Sequence, residues 1–130
     1  SVLEEARFVE KAIVFGAGRK CLVAAISLDK STVPPEWRRL LASPGRDVPV
    51  DVGNAILAEL LAQTKRLPKY MAPAGYLLLR QPLTIESGDL TPNLKLRRSA
   101  IETRYRRDID TLYEDIDVEG GTIPIHLSSS

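Results

Sequence analysis

The sequence predicts a small α+β domain in which a mainly antiparallel sheet is covered by helices, and three observations carry this expectation. Two short runs of apolar and branched residues, 8–15 and 21–28, flank Gly16-Ala17-Gly18-Arg19-Lys20 and read as antiparallel strands joined by a glycine-bearing turn. A third apolar run, 75–80, is too short for an apolar helix and is followed by Pro82. Between and after these runs, apolar residues recur at three- and four-residue spacing, which marks helices with one apolar face. Helices and strands mixed in this order make one sheet with helices packed on it.

Residues 1–7 read as the end of a short polar helix, and the first strand centres on Ala12-Ile13-Val14-Phe15. Cys21 heads the second strand as a core residue. Ser31 or Thr32 is expected to cap a short helix whose first turn holds Pro34 and Pro35, where a missing N–H costs nothing. That helix ends before Ser43-Pro44-Gly45, and Trp37 on it is read as packing. In the longer helix that follows, Val52, Ala55, Ile56, Leu57, Leu60, Leu61 and Leu67 form the apolar face. Lys65 and Arg66 suit its negative end, and Pro68 stops it. The strand at 75–80 lies beside the first two, and a loop spans 84–95. A last helix starts near Ser99, with Ile101, Tyr105, Ile109 and Leu112 as its stripe. Gly120-Gly121 ends the domain, so a domain over 1–119 and a flexible tail over 120–130 are expected, with His126 in the tail and without a role.

A chain of 130 residues fits one domain, and a chain of that size buries roughly two-thirds of its unfolded surface. With 44% apolar residues and a net charge of +1, the composition excludes a disordered chain and carries no field that points to nucleic acid or a membrane. A single cysteine, Cys21, allows no internal disulfide and suits a reducing, cytoplasmic setting. The longest apolar stretch, 21–26, is far short of the roughly 20 residues of a membrane span, so no transmembrane segment is expected. Glu4 and Glu5 stand where a signal peptide is basic, and the first residue is Ser1, which suggests a piece of a longer protein.

The feature that resists a purely structural reading is the run Gly88-Asp89-Leu90-Thr91-Pro92-Asn93-Leu94-Lys95-Leu96-Arg97-Arg98. It sets Lys95 on irregular backbone just ahead of a helix, and loops held by a rigid scaffold are where catalytic groups concentrate. A lysine there is a mobile point charge suited to phosphate or carboxylate oxygens. Arg97, Arg98, Arg104, Arg106 and Arg107 crowd the start of the last helix, while Asp108, Asp110, Glu114, Asp115 and Asp117 follow. That order opposes the helix dipole at roughly 0.3–1 kcal/mol per charge. Either an anionic partner near the helix start or acidic partners elsewhere in the chain would account for it. Gly16-Ala17-Gly18 lacks the third glycine of a dinucleotide fingerprint and a strand follows it, so it reads as a hairpin turn.

The run ending in Lys95 resembles the closing motif of AMP-forming long-chain fatty acid CoA ligases, members of the adenylate-forming superfamily. Val9-Glu10-Lys11-Ala12-Ile13-Val14-Phe15-Gly16 with Arg19-Lys20 resembles the strand pair of that family. Tyr105 with Ile109, Asp110, Leu112 and Tyr113 resembles its final helix. The resemblance implies the C-terminal lid domain of such an enzyme, which closes over a larger N-terminal adenylation domain and then rotates to form the thioester. It implies Lys95 as the catalytic lysine that bridges the carboxylate and the α-phosphate. It also implies ATP, CoA and Mg²⁺ in the whole enzyme, a fatty acid substrate, and no tightly bound cofactor or metal site in this piece, which is expected to be inactive alone. Arg19 and Lys20 are candidates for the phosphates of CoA. In the complete enzyme a peripheral membrane contact is compatible with this family. Most of the wider superfamily has glycine before the lysine, where this chain has Leu94. The competing readings are the lid of a carboxylic acid reductase or a peptide-synthetase adenylation domain, whose closing motifs differ from this one, and a stand-alone phosphate- or RNA-binding module using Lys95, Arg97, Arg98, Arg104 and Arg107.

Overall fold

A computed structural model of the chain describes residues 1–116 and 121–130. A 3-10 turn, Val2–Glu5, leads into strand β1, Val9–Phe15, which pairs antiparallel with β2, Val23–Leu28, from Phe15 opposite Val23 to Val9 opposite Leu28. Helices α1, Pro35–Leu41, and α2, Val50–Thr64, then cross the sheet before β3, Tyr76–Leu79. Two further helices, α3, Arg98–Arg104, and α4, Arg106–Glu114, precede β4, Ile125–Leu127. The sheet order is β1-β2-β3-β4.

The strands alternate between two apolar layers, because successive side chains point to opposite faces. Ala12, Ala24, Ile26, Tyr76 and Leu78 pack with Val52, Ile56 and Leu60 of α2 and with Leu127. Ile13, Phe15, Ala25, Leu77 and Leu79 face Ile101, Tyr105, Ile109 and Leu112 of α3 and α4. Burial on both faces explains why β2 and β3 read as unbroken apolar runs. The ring of Trp37 lies 4.8 Å from that of Phe8, the packing role expected of it.

The α+β class stands, with four corrections in its detail. The sheet is mixed where mainly antiparallel pairing was expected: β2–β3 and β3–β4 are parallel. The cause is covalent, since each pair is joined through helices that carry the chain back across a face, and such crossovers return a strand in parallel. The expected tail supplies β4, in which His126 and Leu127 are buried. Its packing has a local reason, because Gly53 on α2 leaves room for Ile125, whose methyl would lie 3.4 Å from a Cβ at that position. Ser31 and Thr32 do not cap α1. They wrap Asp29 instead, with the Ser31 N–H donating to its carboxylate at 3.0 Å. The last helix is two helices that meet at Tyr105. The domain boundary at 119/120, Gly120 and Asp117 lie outside the described residues.

Beyond the carboxyl ends of β2 and β3 lies a cavity of about 590 Å³, floored by Val33, Leu41, Leu78 and Leu127. Arg80 braces this region by donating to the carbonyls of Leu41, Gly45 and Ser128. Among the described residues no helix is long and apolar enough to cross a membrane.

Candidate functional site

The chain between β3 and α3 folds into a short arm. At its base Thr84 accepts the N–H groups of Asp89 and Leu90 through its carbonyl, at 3.1 and 3.2 Å. The intervening turn closes with Gly88 N–H on the Ile85 carbonyl, at 3.0 Å. Gly88 has φ of +84°, a left-handed conformation in which a Cβ is strained. This turn drives Asp89 inward, where it is 1% exposed. Its carboxylate accepts Arg104 Nη1 on both oxygens, at 3.0 and 2.8 Å, along with the Ser87 hydroxyl and the Thr84 N–H. A buried carboxylate requires such a set of donors.

Beyond Asp89 the arm runs out and back. Leu90 and Leu96 form an antiparallel bridge. Thr91 closes the tip: its N–H donates to the Lys95 carbonyl at 2.8 Å, its carbonyl accepts Leu94 N–H at 2.8 Å, and its hydroxyl accepts Lys95 N–H at 3.0 Å. Leu94 adopts φ of 63°, and 62% of it is exposed. Lys95 is exposed beside it, and its Nζ has no partner among the described residues. The returning chain is tied at Arg97, whose N–H donates to the Asp89 carbonyl at 2.8 Å and whose guanidinium donates to the Gly88 carbonyl at 3.0 Å.

Arginines at the two ends of α3 therefore have internal work. Arg97 holds the arm and Arg104 holds Asp89, while Arg98 donates to the Val14 carbonyl and lies 5.5 Å from the centre of the Phe15 ring. The acids that follow are engaged too: Asp108 accepts Ser129, Asp110 accepts Arg19 and Asp115 pairs with His126 at 2.7 Å. Partners within the chain account for the six charges just named, while Arg106, Arg107 and Glu114 make no such bond among the described residues.

Arg19 and Lys20 leave the β1–β2 turn and fold onto the last helix. The Arg19 guanidinium bonds Asp110, which raises its pKa, and lies 4.6 Å from the centre of the Tyr113 ring. Lys20 Nζ donates to the Ile116 carbonyl at 3.2 Å. Arg98 reaches the last residues of β1, so the turn with Arg19 and the arm with Lys95 leave the fold at the same end of that strand. Arg19 and Lys20 are engaged with α4 and the residues just after it, and Lys95 is not. Among the described residues no cluster of three His, Cys, Asp or Glu side chains could hold a metal. Nothing in the sequence marks the pairing of Asp89 with Arg104: an acid directly after a glycine does not report burial.

No family model matches the chain. Over 107 residues, 82% of its length, it is 29% identical to the long-chain-fatty-acid–[acyl-carrier-protein] ligase AEE15, chloroplastic, of Arabidopsis thaliana. Its fold is similar to the A-PCP didomain of carboxylic acid reductase from Segniliparus rugosus, solved in complex with AMP, at a TM-score of 0.66 and 22% identity over 87% of this chain. It is also similar to the adenylation domain of a carboxylate reductase from Mycobacterium chelonae, at 0.68 and 26% over 88%. Fold and likeness together support a C-terminal domain of an adenylate-forming enzyme. Among particular proteins it is similar to that plant ligase in sequence and to the two reductases in architecture. It spans 14% of the ligase and 15% and 17% of the reductase chains.

Proposed function

We propose that this domain, residues 1–119 with β4 added to its sheet, is the mobile lid of an ATP-dependent, AMP-forming ligase that activates a long-chain fatty acid and passes the acyl group to a thiol. The observation that carries this reading is Lys95: an exposed cation without a partner among the described residues, on an arm whose base is anchored through the buried carboxylate of Asp89. A carboxylate that attacks the α-phosphate of ATP brings like charges together. A lysine brought to that point by closure offsets the repulsion where it is greatest, and holds the two groups in line. Pyrophosphate leaves and acyl-adenylate remains. Mg²⁺ would accompany ATP, held by the larger N-terminal domain of the same protein.

The acceptor is a pantetheine thiol, either CoA, as the closing motif suggests, or a carrier protein, as the names of the relatives suggest. In the CoA reading Arg19 and Lys20 meet the phosphates, and Arg19 exchanges Asp110 for them. Nucleic acid gains no support, because Arg97, Arg98 and Arg104 already serve the fold. Cytoplasmic placement, with peripheral membrane contact of the whole enzyme, accompanies this proposal.

The test is ATP–pyrophosphate exchange driven by a panel of carboxylic acids in the complete enzyme, with and without Lys95→Ala. Fatty acids are expected to support exchange, and the substitution to reduce it by roughly 10²–10³-fold. Equal exchange by Lys95→Ala and wild type would remove the catalytic role. CoA and holo-carrier protein, offered in turn to the loaded enzyme, identify the acceptor. The isolated domain is expected to support no exchange.

A further inference from the structure

We propose that Asp89 and Arg104 are a positioning pair that sets the reach of Lys95, a role that rests on the reading of Lys95 given above. Asp89 is the one buried carboxylate among the described residues. Arg104 reaches this carboxylate from the surface, and an ion pair with one partner open to solvent is a poor source of net stability. What this one provides is geometry. Its donors come from three places: the Thr84 N–H at the loop entry, the Ser87 hydroxyl in the turn, and Arg104 on α3. The Asp89 carbonyl also accepts Arg97 N–H, so the outgoing and returning limbs of the arm meet at this residue.

Beyond that anchor the Leu90–Leu96 bridge and the Thr91 hydrogen bonds leave the arm few ways to bend. A shift of Asp89 is therefore carried to Lys95. Arg104 is itself fixed, with its guanidinium 5.0 Å from the centre of the Tyr105 ring and its helix packed on the sheet through Ile101. The pair thus couples the lysine to the core of the domain, while neither residue touches a substrate.

The test uses the complete enzyme with Asp89→Asn, Arg104→Met and Arg104→Lys, and measures two half-reactions separately: ATP–pyrophosphate exchange, and transfer from preformed acyl-adenylate to the thiol. Asp89→Asn and Arg104→Met are expected to lower kcat for exchange roughly 10–100-fold, the cost of misplacing a catalytic group by about an ångström. KM for ATP and acid should stay within about twofold, because ground-state binding is not what the pair controls. Transfer should proceed at the wild-type rate, which also shows that the variants are folded, and Arg104→Lys should recover part of the exchange. Loss of both half-reactions in parallel with a lower Tm would make the pair merely structural, and unchanged exchange in Arg104→Met would overturn the proposal while Lys95→Ala still inactivates. If Lys95→Ala itself exchanges normally, the underlying reading fails and the pair has nothing to position.

Discussion

Leu94 holds a left-handed backbone beside the lysine, with φ of 63°. For an L-residue with a side chain that conformation costs roughly 1–2 kcal/mol, and glycine avoids it. Three hydrogen bonds through Thr91 enforce it here. Leu94→Gly is therefore predicted to melt no lower than wild type, since relief of strain offsets the roughly 0.5–1 kcal/mol of extra freedom that glycine gives the unfolded chain. Leu94→Val, branched at Cβ, should melt several degrees lower. If thermal scans place the glycine variant below the valine variant, strain is not what governs this position. Tyr76 poses a different problem, because it is fully buried and its hydroxyl has no partner among the described residues. Burial pushes its pKa up from 10.0 to about 12. Above the lower value the unfolded chain releases a proton that the folded chain keeps, so stability is full below that pH and falls as pH rises toward the upper one. Burial moves Tyr105 and Tyr113 in the same direction. Tyr76→Phe should flatten part of the slope and add about 1 kcal/mol at neutral pH by removing an unpaired hydroxyl. Urea titrations near neutral pH and near pH 11 would show it, and an unchanged slope would mean that the hydroxyl finds a partner in solution.

At the scale of elements, β4 is the piece that the sequence hid. Three residues are too few for alternation to be read, Pro124 just before them argues against a strand, and the serines after them look like a loose end. Leu127 nevertheless lies 2% exposed among Leu78, Val33 and Ile56. Leu127→Ala is predicted to cost about 2–4 kcal/mol, read from urea unfolding, and a cost under about 0.5 would mean that the strand is only laid on the surface. Other elements were plain. Ile101, Tyr105, Ile109 and Leu112 form the stripe that their spacing announced, and the break at Tyr105 leaves that stripe in register. The parallel pairing of β3 was legible in principle, since two helices separate it from β2 and only a crossover fits them. The loop that carries Lys95 ahead of a helix was legible, whereas the pairing of Asp89 with Arg104 was not. Fifteen residues separate the two, and their meeting depends on how the turn before Asp89 coils and where α3 ends, which no periodicity encodes.

For the molecule as a whole, the sheet is a thin middle layer whose two faces are filled from opposite sides, so α2 and the α3–α4 pair share the same strands without touching one core. Lys95 stands exposed outside these layers on its anchored arm. The layered arrangement has a further cost at its rim. Without β4, the buried run Tyr76-Leu77-Leu78-Leu79 would end the sheet with a row of unpaired backbone groups, four large apolar residues long, the template on which another chain adds as a strand. The closing segment ends the ladder with three residues, and the Asp47 bridge to His126 covers part of what remains. A chain cut after Gly121 is predicted to scatter light increasingly as its concentration rises, at temperatures where the intact chain stays clear; equal clarity would show that the rim is protected by something else. On this account the nine residues removed, 122–130, are what would keep copies of this domain from polymerising through their sheets.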